Sequence, residues 1–458
     1  MSASLAVAES RSGTSRINLP RVDTTPTGKD SHSEPTCVFL SGGTGGNALC
    51  SAFSRAYYVL PVSDDGGSSS EIIRVLGGPS IGDIRSRLVR LIPPAEKGSP
   101  LDALRSLLAY RLPVNCSDQS ARDEWRSIVE GRSSLWSGIP LDRKEAIRGF
   151  LVYFENEVLK RAHKNFSFRN GSVGNYFLAA AQGFFRSLPS AIFLFSSVTN
   201  SQANIVPVIV TNHTVTIAAE LNDGQRLVGQ CEISHPVQRG SALNPPGRGT
   251  HDAYEDAISP DLPVSQSQNV DFTADAKEEY EHIGAPIHRL LYINAYGHEI
   301  FPAPNPDYIA NLSMNEVLIY SCGSLWTSIV PCLALRGVGP AIARSPSLKA
   351  KVLFLNSRND RETADYTAVD YINVIVRTLS ARYQPESYGI GNVSTSFPTS
   401  AYVTHLIHLH GGTVPVDVEV ITSMGVRCIG VNSHCLAKDG VPMYDSACAS
   451  QVMKEVLR

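Results

Sequence analysis

Between Leu40 and Asn47 the chain reads Ser41-Gly42-Gly43-Thr44-Gly45-Gly46, directly after the apolar run Cys37-Val38-Phe39-Leu40 and directly before Ala48, Leu49, Ala52 and Phe53. An apolar run of strand length, a glycine-rich turn and a helix-compatible segment make one strand–turn–helix unit. Such units build parallel sheets covered by helices. A second unit follows at once: Tyr57 to Val62 reads as the next strand and opens into Ser63-Asp64-Asp65-Gly66-Gly67-Ser68-Ser69-Ser70. Both polar turns then leave the carboxyl edge of one sheet, where open α/β folds bind ligands. Glycines there let backbone N–H groups approach an anion, and the start of the following helix adds partial positive charge. The first turn reads as a phosphate cradle, with amides from Gly42, Gly43, Gly45 and Gly46 and a hydroxyl from Thr44; Ser68 and Ser69 belong to the second nest. A tight turn without a ligand is the plain alternative, and the second nest makes it the weaker one.

The same unit recurs in the second half. Glu316–Tyr320 is a strand leading into Ser321-Cys322-Gly323-Ser324, and Lys351–Asn356 leads into Asn359-Asp360-Arg361-Glu362-Thr363. Val369, Ile372, Val376 and Leu379 share one face of a helix, and Val416 to Ile421 reads as a further strand. Ile205–Val210 is another strand. Val215, Ile217, Ala219 and Leu221 then alternate up to Asn222-Asp223-Gly224, with Leu227 and Val228 beyond, which signals a hairpin. From Arg85 to about Leu188 helix formers dominate, and Ile147, Leu151, Phe154 and Val158 fall on one helical face. The expected fold is α/β: a Rossmann-like, doubly wound, mostly parallel sheet in three α/β/α layers. Its core spans residues 36–84 and 189–458, with a helical insertion over 85–188. Residues 1–35, rich in Ser, Thr and Arg, read as a disordered tail, and 239–277, rich in Gly, Pro, Ser and acidic residues, as a disordered loop.

Composition narrows the function classes. A net charge of −3 without a Lys/Arg run gives no electrostatic footprint for nucleic acid, and no apolar segment is long enough to span a bilayer. Nine cysteines without a C-x-x-C pair fit reduced thiols in a cytoplasmic protein better than a disulfide framework. Neither a G-K-[ST] P-loop nor a G-x-S-x-G elbow is present, which argues against a Walker-type ATPase and a hydrolase triad. His405, His408 and His410 cluster, and His434 neighbours Cys435, but no second ligand pair with zinc spacing accompanies them. They read as structural histidines.

The blocks Gly42–Gly46, Asp64-Asp65-Gly66-Gly67-Ser68-Ser69, Gly82-Asp83-Ile84-Arg85, Ser172-Val173-Gly174-Asn175, Asn222-Asp223-Gly224, Gly323–Ser328, Glu362-Thr363 and Tyr366-Thr367-Ala368 occur in this order. In them the chain resembles the family that unites 2-phospho-L-lactate transferases of the CofD type with the gluconeogenesis factors. The resemblance runs from Cys37 to about Gly430, and the Asp-Asp-Gly-Gly-Ser-Ser block is more similar to the gluconeogenesis-factor branch. The chain departs from that branch at Gly171, where a His is usual, and at Ser321-Cys322, where a Gly-Pro pair is usual. The resemblance implies a homodimer that binds a nucleotide-diphosphate small molecule. In one branch this is a guanosine-diphosphate-linked acid, whose phospho-lactyl-type group passes to a hydroxyl acceptor with release of a nucleoside monophosphate. In the other it is a UDP-sugar held by a non-catalytic regulator of carbon metabolism.

Residue chemistry fits either reading. Asp64 and Asp65 face phosphate only across a cation, so Mg²⁺ held by both and bridging to the diphosphate is expected. Arg85 would neutralise charge on phosphorus, and Asp65 or Asp83 would orient an acceptor hydroxyl. Ser172, Asn175, Gly323 and Ser324 would contact base, sugar or phosphate. Each has a plainer alternative. Asp64, 21 residues after Gly43, matches the ribose-binding carboxylate of a dinucleotide site, and fold analogy alone would then suggest a nicotinamide-dependent oxidoreductase. Asp65 would cap the next helix, Asp83 and Arg85 would pair with each other, and Ser172 and Asn175 would cap the helix carrying Tyr176, Phe177 and Leu178.

Overall fold

Seven short strands with few exposed side chains form the centre of the molecule in a computed structural model that describes residues 35–42, 45–235, 282–381 and 397–457. The expected tail over 1–35 (apart from Pro35), the expected loop over 239–277, and Gly43 and Thr44 lie outside the described residues. In chain order the strands are Cys37–Leu40 (β1), Ala56–Leu60 (β2), Asn204–Pro207 (β3), Val317–Tyr320 (β4), Ala350–Phe354 (β5), His405–Leu409 (β6) and Arg427–Val431 (β7). All neighbours are parallel, in the order β7-β6-β5-β4-β1-β2-β3. Every residue of β1, β4 and β5 is buried, as a sheet covered on both faces requires. That burial explains why these strands read as continuous apolar runs. β3 lies at the sheet edge, where Pro207 costs no ladder hydrogen bond. The winding reverses between β1 and β4, with Leu40 beside both Val59 and Tyr320, so the doubly wound Rossmann-like expectation holds.

Between β2 and β3 lie seven helices: Gly67–Leu76 (α1), Gly82–Arg90 (α2), Pro100–Ala109 (α3), Asp118–Val129 (α4), Leu141–Leu159 (α5), Val173–Phe185 (α6) and Leu188–Thr199 (α7). The helical block is therefore wider than residues 85–188 at both ends. Ile147, Leu151, Phe154 and Val158 are the buried residues of α5, as their spacing predicts. Trp125 and Tyr176 pack among Phe154, Phe166 and Phe168 to give this block an aromatic core. A smaller antiparallel sheet runs Arg226–Val228, Thr216–Leu221, Ile287–Ile293, Glu299–Ile300. Its first hairpin is the expected one: Gly224 has φ +85°, and Leu221 N–H donates to Gln225 O at 2.8 Å.

Two expectations fail. Val416 to Ile421 is not a strand: Val418–Ser423 is a short helix, capped by Asp417, whose carboxylate accepts from Val420 N–H at 3.0 Å. The strands at this edge are β6 and β7. The polar His405 and His408 obscure β6 in the sequence, and β-branched residues on a mostly exposed helical turn mimic a strand. Ala48 to Phe53 forms no regular α-helix either, but two short 3₁₀ turns, Gly45–Ala48 and Cys50–Ala52. Among the described residues no helix is long and apolar enough to cross a membrane, and all nine cysteines are free thiols.

Candidate functional site

A cleft of about 1520 Å³ follows the carboxyl edge of the sheet and is walled by the loops after β1, β2, β4 and β5 and by the helical block. Of the residues expected to act, Gly42, Asp64, Ser68 and Ser69 line it. So do Asp83, Arg85, Asn175, Gly323 and Ser324. They come from distant parts of the sequence, Gly42 to Ser324, and meet because β1, β2 and β4 are neighbours whose polar turns emerge on one edge. The first turns of α1 and α2 line the cleft too, which brings two helix N-termini to its wall.

Asp64 and Asp83 are the acidic pair. Asp64 Oδ1 accepts from Gly66 N–H at 3.0 Å, which fixes the carboxylate at the start of α1. Burial, and then the neighbouring Asp83, push its pKa well above the usual range. Glycines make room for both groups. A Cβ on Gly82 would lie 2.5 Å from Asp64 Oδ2, and one on Gly42 would lie 3.0 Å from Asp83 Oδ2. Two hard oxygen ligands held together against their mutual repulsion suit Mg²⁺, which takes one or two carboxylates and completes its shell with phosphate and water. Among the described residues no third His, Cys, Asp or Glu joins them in a metal-holding cluster, so further ligands would come from a bound phosphate. The raised pKa makes a stability prediction. The neutral form is favoured in the fold, so Asp64 costs stability as pH rises from the unfolded value of about 3.9 through the raised folded value. Asp64→Asn is therefore expected to raise the ligand-free thermal midpoint at pH 8 by about 1 °C per kcal/mol relieved. That gain should fade towards pH 4; a midpoint that drops at pH 8 would make the carboxylate structural.

Two arginines, Arg85 and Arg111, line the same cleft. Arg85 is buried, and its Nε donates to Asn175 Oδ1 at 3.0 Å. Asn175 Nδ2 in turn donates to Ser68 Oγ at 2.7 Å, so helix α6 sets the arginine and the second nest together. Burial, then the positive charge of Arg111, lower the Arg85 pKa to about 10. Arg111 was not singled out by any sequence motif. Main-chain bonds from Leu112 N–H to Gly171 O and from Val173 N–H to Tyr110 O carry it to the start of α6, and Arg111 Nη1 donates to Asn170 O at 3.1 Å. Ser69 Oγ, buried in the cleft wall, has no hydrogen-bond partner among the described residues.

Other expected residues act elsewhere. Asp65 turns away from its neighbour: its Oδ1 accepts from Cys231 N–H at 2.8 Å, at the start of the short helix Gln230–Ser234. A Cβ on Gly229 would lie 2.2 Å from Asp65 Oδ2, so that carboxylate is enclosed by the loop, and it is Asp83 that accompanies Asp64 in the cleft. Ser172 caps α6 by accepting from Asn175 N–H at 3.4 Å and does not line the cleft. Gly46 packs beneath the first turn, and Gly45 opens the 3₁₀ segment beside it. At Gly171 a Cβ would fall 1.7 Å from Tyr176 Oη, so the Tyr176 hydroxyl fills the space a larger side chain there would need. Glu362, buried behind the β4 loop, accepts from Trp326 N–H at 3.0 Å and Thr327 N–H at 3.1 Å, which anchors the π-helical turn Leu325–Ile329. Burial raises its pKa to about 8. Its bonds hold the Ser324 segment in place, and Asn356 Nδ2 ties the next loop to Gly323 O at 3.2 Å. His408 and His410 stand edge-on, 5.6 Å apart, and line not this cleft but a smaller pocket that adjoins it at Asn356 and Thr413.

The chain matches known proteins over most of its length. A family model described as 2-phospho-L-lactate transferase CofD matches residues 37–433. An uncharacterised protein of Saccharomyces cerevisiae is 34% identical over 427 residues, covering 85% of this chain and 94% of its own. A Thermotoga maritima protein named "Putative gluconeogenesis factor" is 21% identical, covering 84% of this chain and 86% of its own. A crystal structure of a Bacillus halodurans protein superimposes with a TM-score of 0.57 at 18% identity, covering 93% of this chain and 99% of that one. A second crystal structure of the same protein, described as a member of the UPF0052 family, gives the same score.

Proposed function

The chain belongs to the CofD family, and on that premise we propose that it binds a nucleotide-diphosphate small molecule with Mg²⁺ and transfers a phosphorus-containing group. The observation that carries this reading is that the acidic pair Asp64 and Asp83 and the arginines Arg85 and Arg111 line one cleft at the switch point. Asp64 and Asp83 would hold the metal, which supplies charge neutralisation on the diphosphate when bound. The turn from Gly42 to Gly46, which includes Thr44, and the nest at Ser68 and Ser69 would hold phosphate oxygens, and Arg85 would face the charge that develops on phosphorus. In the transfer, the acceptor hydroxyl oxygen bonds to phosphorus as the bond to the nucleoside monophosphate breaks. The hydroxyl proton passes to a cleft carboxylate, Asp83 in this assignment.

Size supports transfer over simple binding. Ligand pockets for single small molecules span about 300–1,000 Å³, and this cleft, at about 1520 Å³, leaves room for an acceptor beside a nucleotide. The competing reading, a non-catalytic UDP-sugar-binding regulator of carbon metabolism, draws on the printed name of the bacterial relatives. A thermal-shift screen of GDP, GTP, UDP, UDP-sugars and NAD(P), each with and without Mg²⁺, separates them. A ligand at a hundredfold excess over its Kd stabilises by about 2.7 kcal/mol, enough to be read. A Mg²⁺-dependent shift with guanine nucleotides is expected. In that case Asp64→Asn should bind at least about tenfold more weakly. A metal-independent shift with UDP-sugars would favour the regulator, and silence across the panel would overturn nucleotide binding.

A further inference from the structure

Arg87 lies two residues beyond Arg85 on α2, is 1% exposed and does not line the cleft. Its Nη2 donates to Ser41 Oγ at 2.8 Å, and its Nη1 contacts Cys50 Sγ. The guanidinium lies over the rings of Tyr58, at 5.1 Å, and Phe39, at 5.8 Å. Among the described residues its Nε has no hydrogen-bond partner and no carboxylate forms an ion pair with it. Burying a cation without a counter-charge is expensive, so arginines in such places usually sit in ion pairs.

The position gives the reason. Arg87 forms the floor of the glycine-rich turn. A Cβ on Gly46 would lie 2.8 Å from Ser321 Oγ, 3.0 Å from Arg87 Nη2 and 3.1 Å from Ser41 Cβ. Ser321 is itself buried. Ser41 directly follows β1 and Ser321 directly follows β4, so this cluster lies at the switch point beside the cleft.

We propose that Arg87 is a positioning residue of the anion site. It holds Ser41 and Gly46, which flank the glycine-rich turn, and its charge is compensated by a ligand diphosphate bound in the cleft. It touches no ligand atom. In a low-dielectric floor the field of one cation is screened far less than at a surface. This inference rests on the diphosphate reading given above.

The test compares the wild type with Arg87→Met, which keeps the length and removes the charge, and Arg87→Lys, which keeps the charge. GDP and UDP, each with Mg²⁺, serve as probes by isothermal titration, alongside ligand-free melting. Arg87→Met is expected to melt close to wild type, because an apolar side chain replaces a buried charge. Its affinity for the probe that wild type binds should fall about 10- to 30-fold, the effect of one charge about 8 Å away at an effective dielectric of about 20. Arg87→Lys should recover most of that loss, which a purely structural role would not predict. Should Arg87→Met fail to fold, Arg87→Gln against Arg87→Lys makes the same comparison. Equal affinity in wild type and Arg87→Met, or equal loss in the Met and Lys variants, overturns the proposal alone. Failure of the wild type to bind either probe overturns the diphosphate reading and this proposal with it.

Discussion

Arg85→Met is expected to weaken nucleoside-diphosphate binding about a hundredfold while leaving the ligand-free protein at least as stable. The size follows from the bonds at stake: a hydrogen bond to a charged group contributes about 1.5–3 kcal/mol, and tenfold in affinity is about 1.4 kcal/mol. The unusual part is the second half. Arg85 is buried beside Arg111, and the two like charges with the loss of water already lower its pKa to about 10. Methionine removes that repulsion and the desolvation cost, leaving only Asn175 Oδ1 without the Arg85 Nε–H it now accepts, at about 1 kcal/mol. Arg85→Lys keeps the charge but not the Nε bond that orients it, so its affinity should fall between the two. Calorimetric titration and melting of all three proteins decide the matter. A large loss of stability with unchanged affinity would make Arg85 a scaffold residue.

Asp64, in the same cleft, carries the same signature, since its removal is expected to relieve the apo fold and impair binding. Groups of opposite charge that cost stability in the empty protein and line one cleft are what a charged ligand would reconcile. The sequence exposes this pair unevenly. Asp64, Asp83 and Arg85 follow strand and helix signals that place them at the sheet edge, so their meeting is legible from the chain alone. The choice between Asp64 and Asp65 is not, because it depends on Cys231, which is 166 residues away in the chain and whose backbone takes the Asp65 carboxylate. Arg111 and Arg87 are hidden for another reason: the helical block that carries them has apolar periodicity that reports burial, not which polar residue faces the sheet. The fold was legible wherever a strand is buried on both faces, as in β1, β4 and β5. It was not at β6, where His405 and His408 break the apolar run, nor at Val418–Ser423, where an aspartate cap outweighs β-branched composition.

Gly174→Ala should be the most damaging small substitution in the helical block. A Cβ there would fall 2.3 Å from Leu108 O and 3.1 Å from Arg85 Cγ and Cδ. The first is backbone of helix α3 and cannot rotate aside, so α6 has to withdraw. Overpacking of this kind costs about 1–3 kcal/mol and sometimes more, and a clash with backbone belongs at the upper end. With an unfolding entropy of about 2.1 cal/mol/K per residue, a 3 kcal/mol loss lowers the midpoint of a domain this size by about 3–4 °C. Binding should suffer as well, because Asn175 is the next residue and its amide links Arg85 to Ser68. Gly183→Ala, in the same helix, is the control. Its Cβ would meet only Tyr153 side-chain atoms at 3.7 and 3.9 Å, so it should raise stability by about 0.5–1 kcal/mol through helix propensity and leave binding alone. If both alanines behave alike, close packing of α6 on α3 is not what positions Asn175, and the bond network around Arg85 would have to hold by itself.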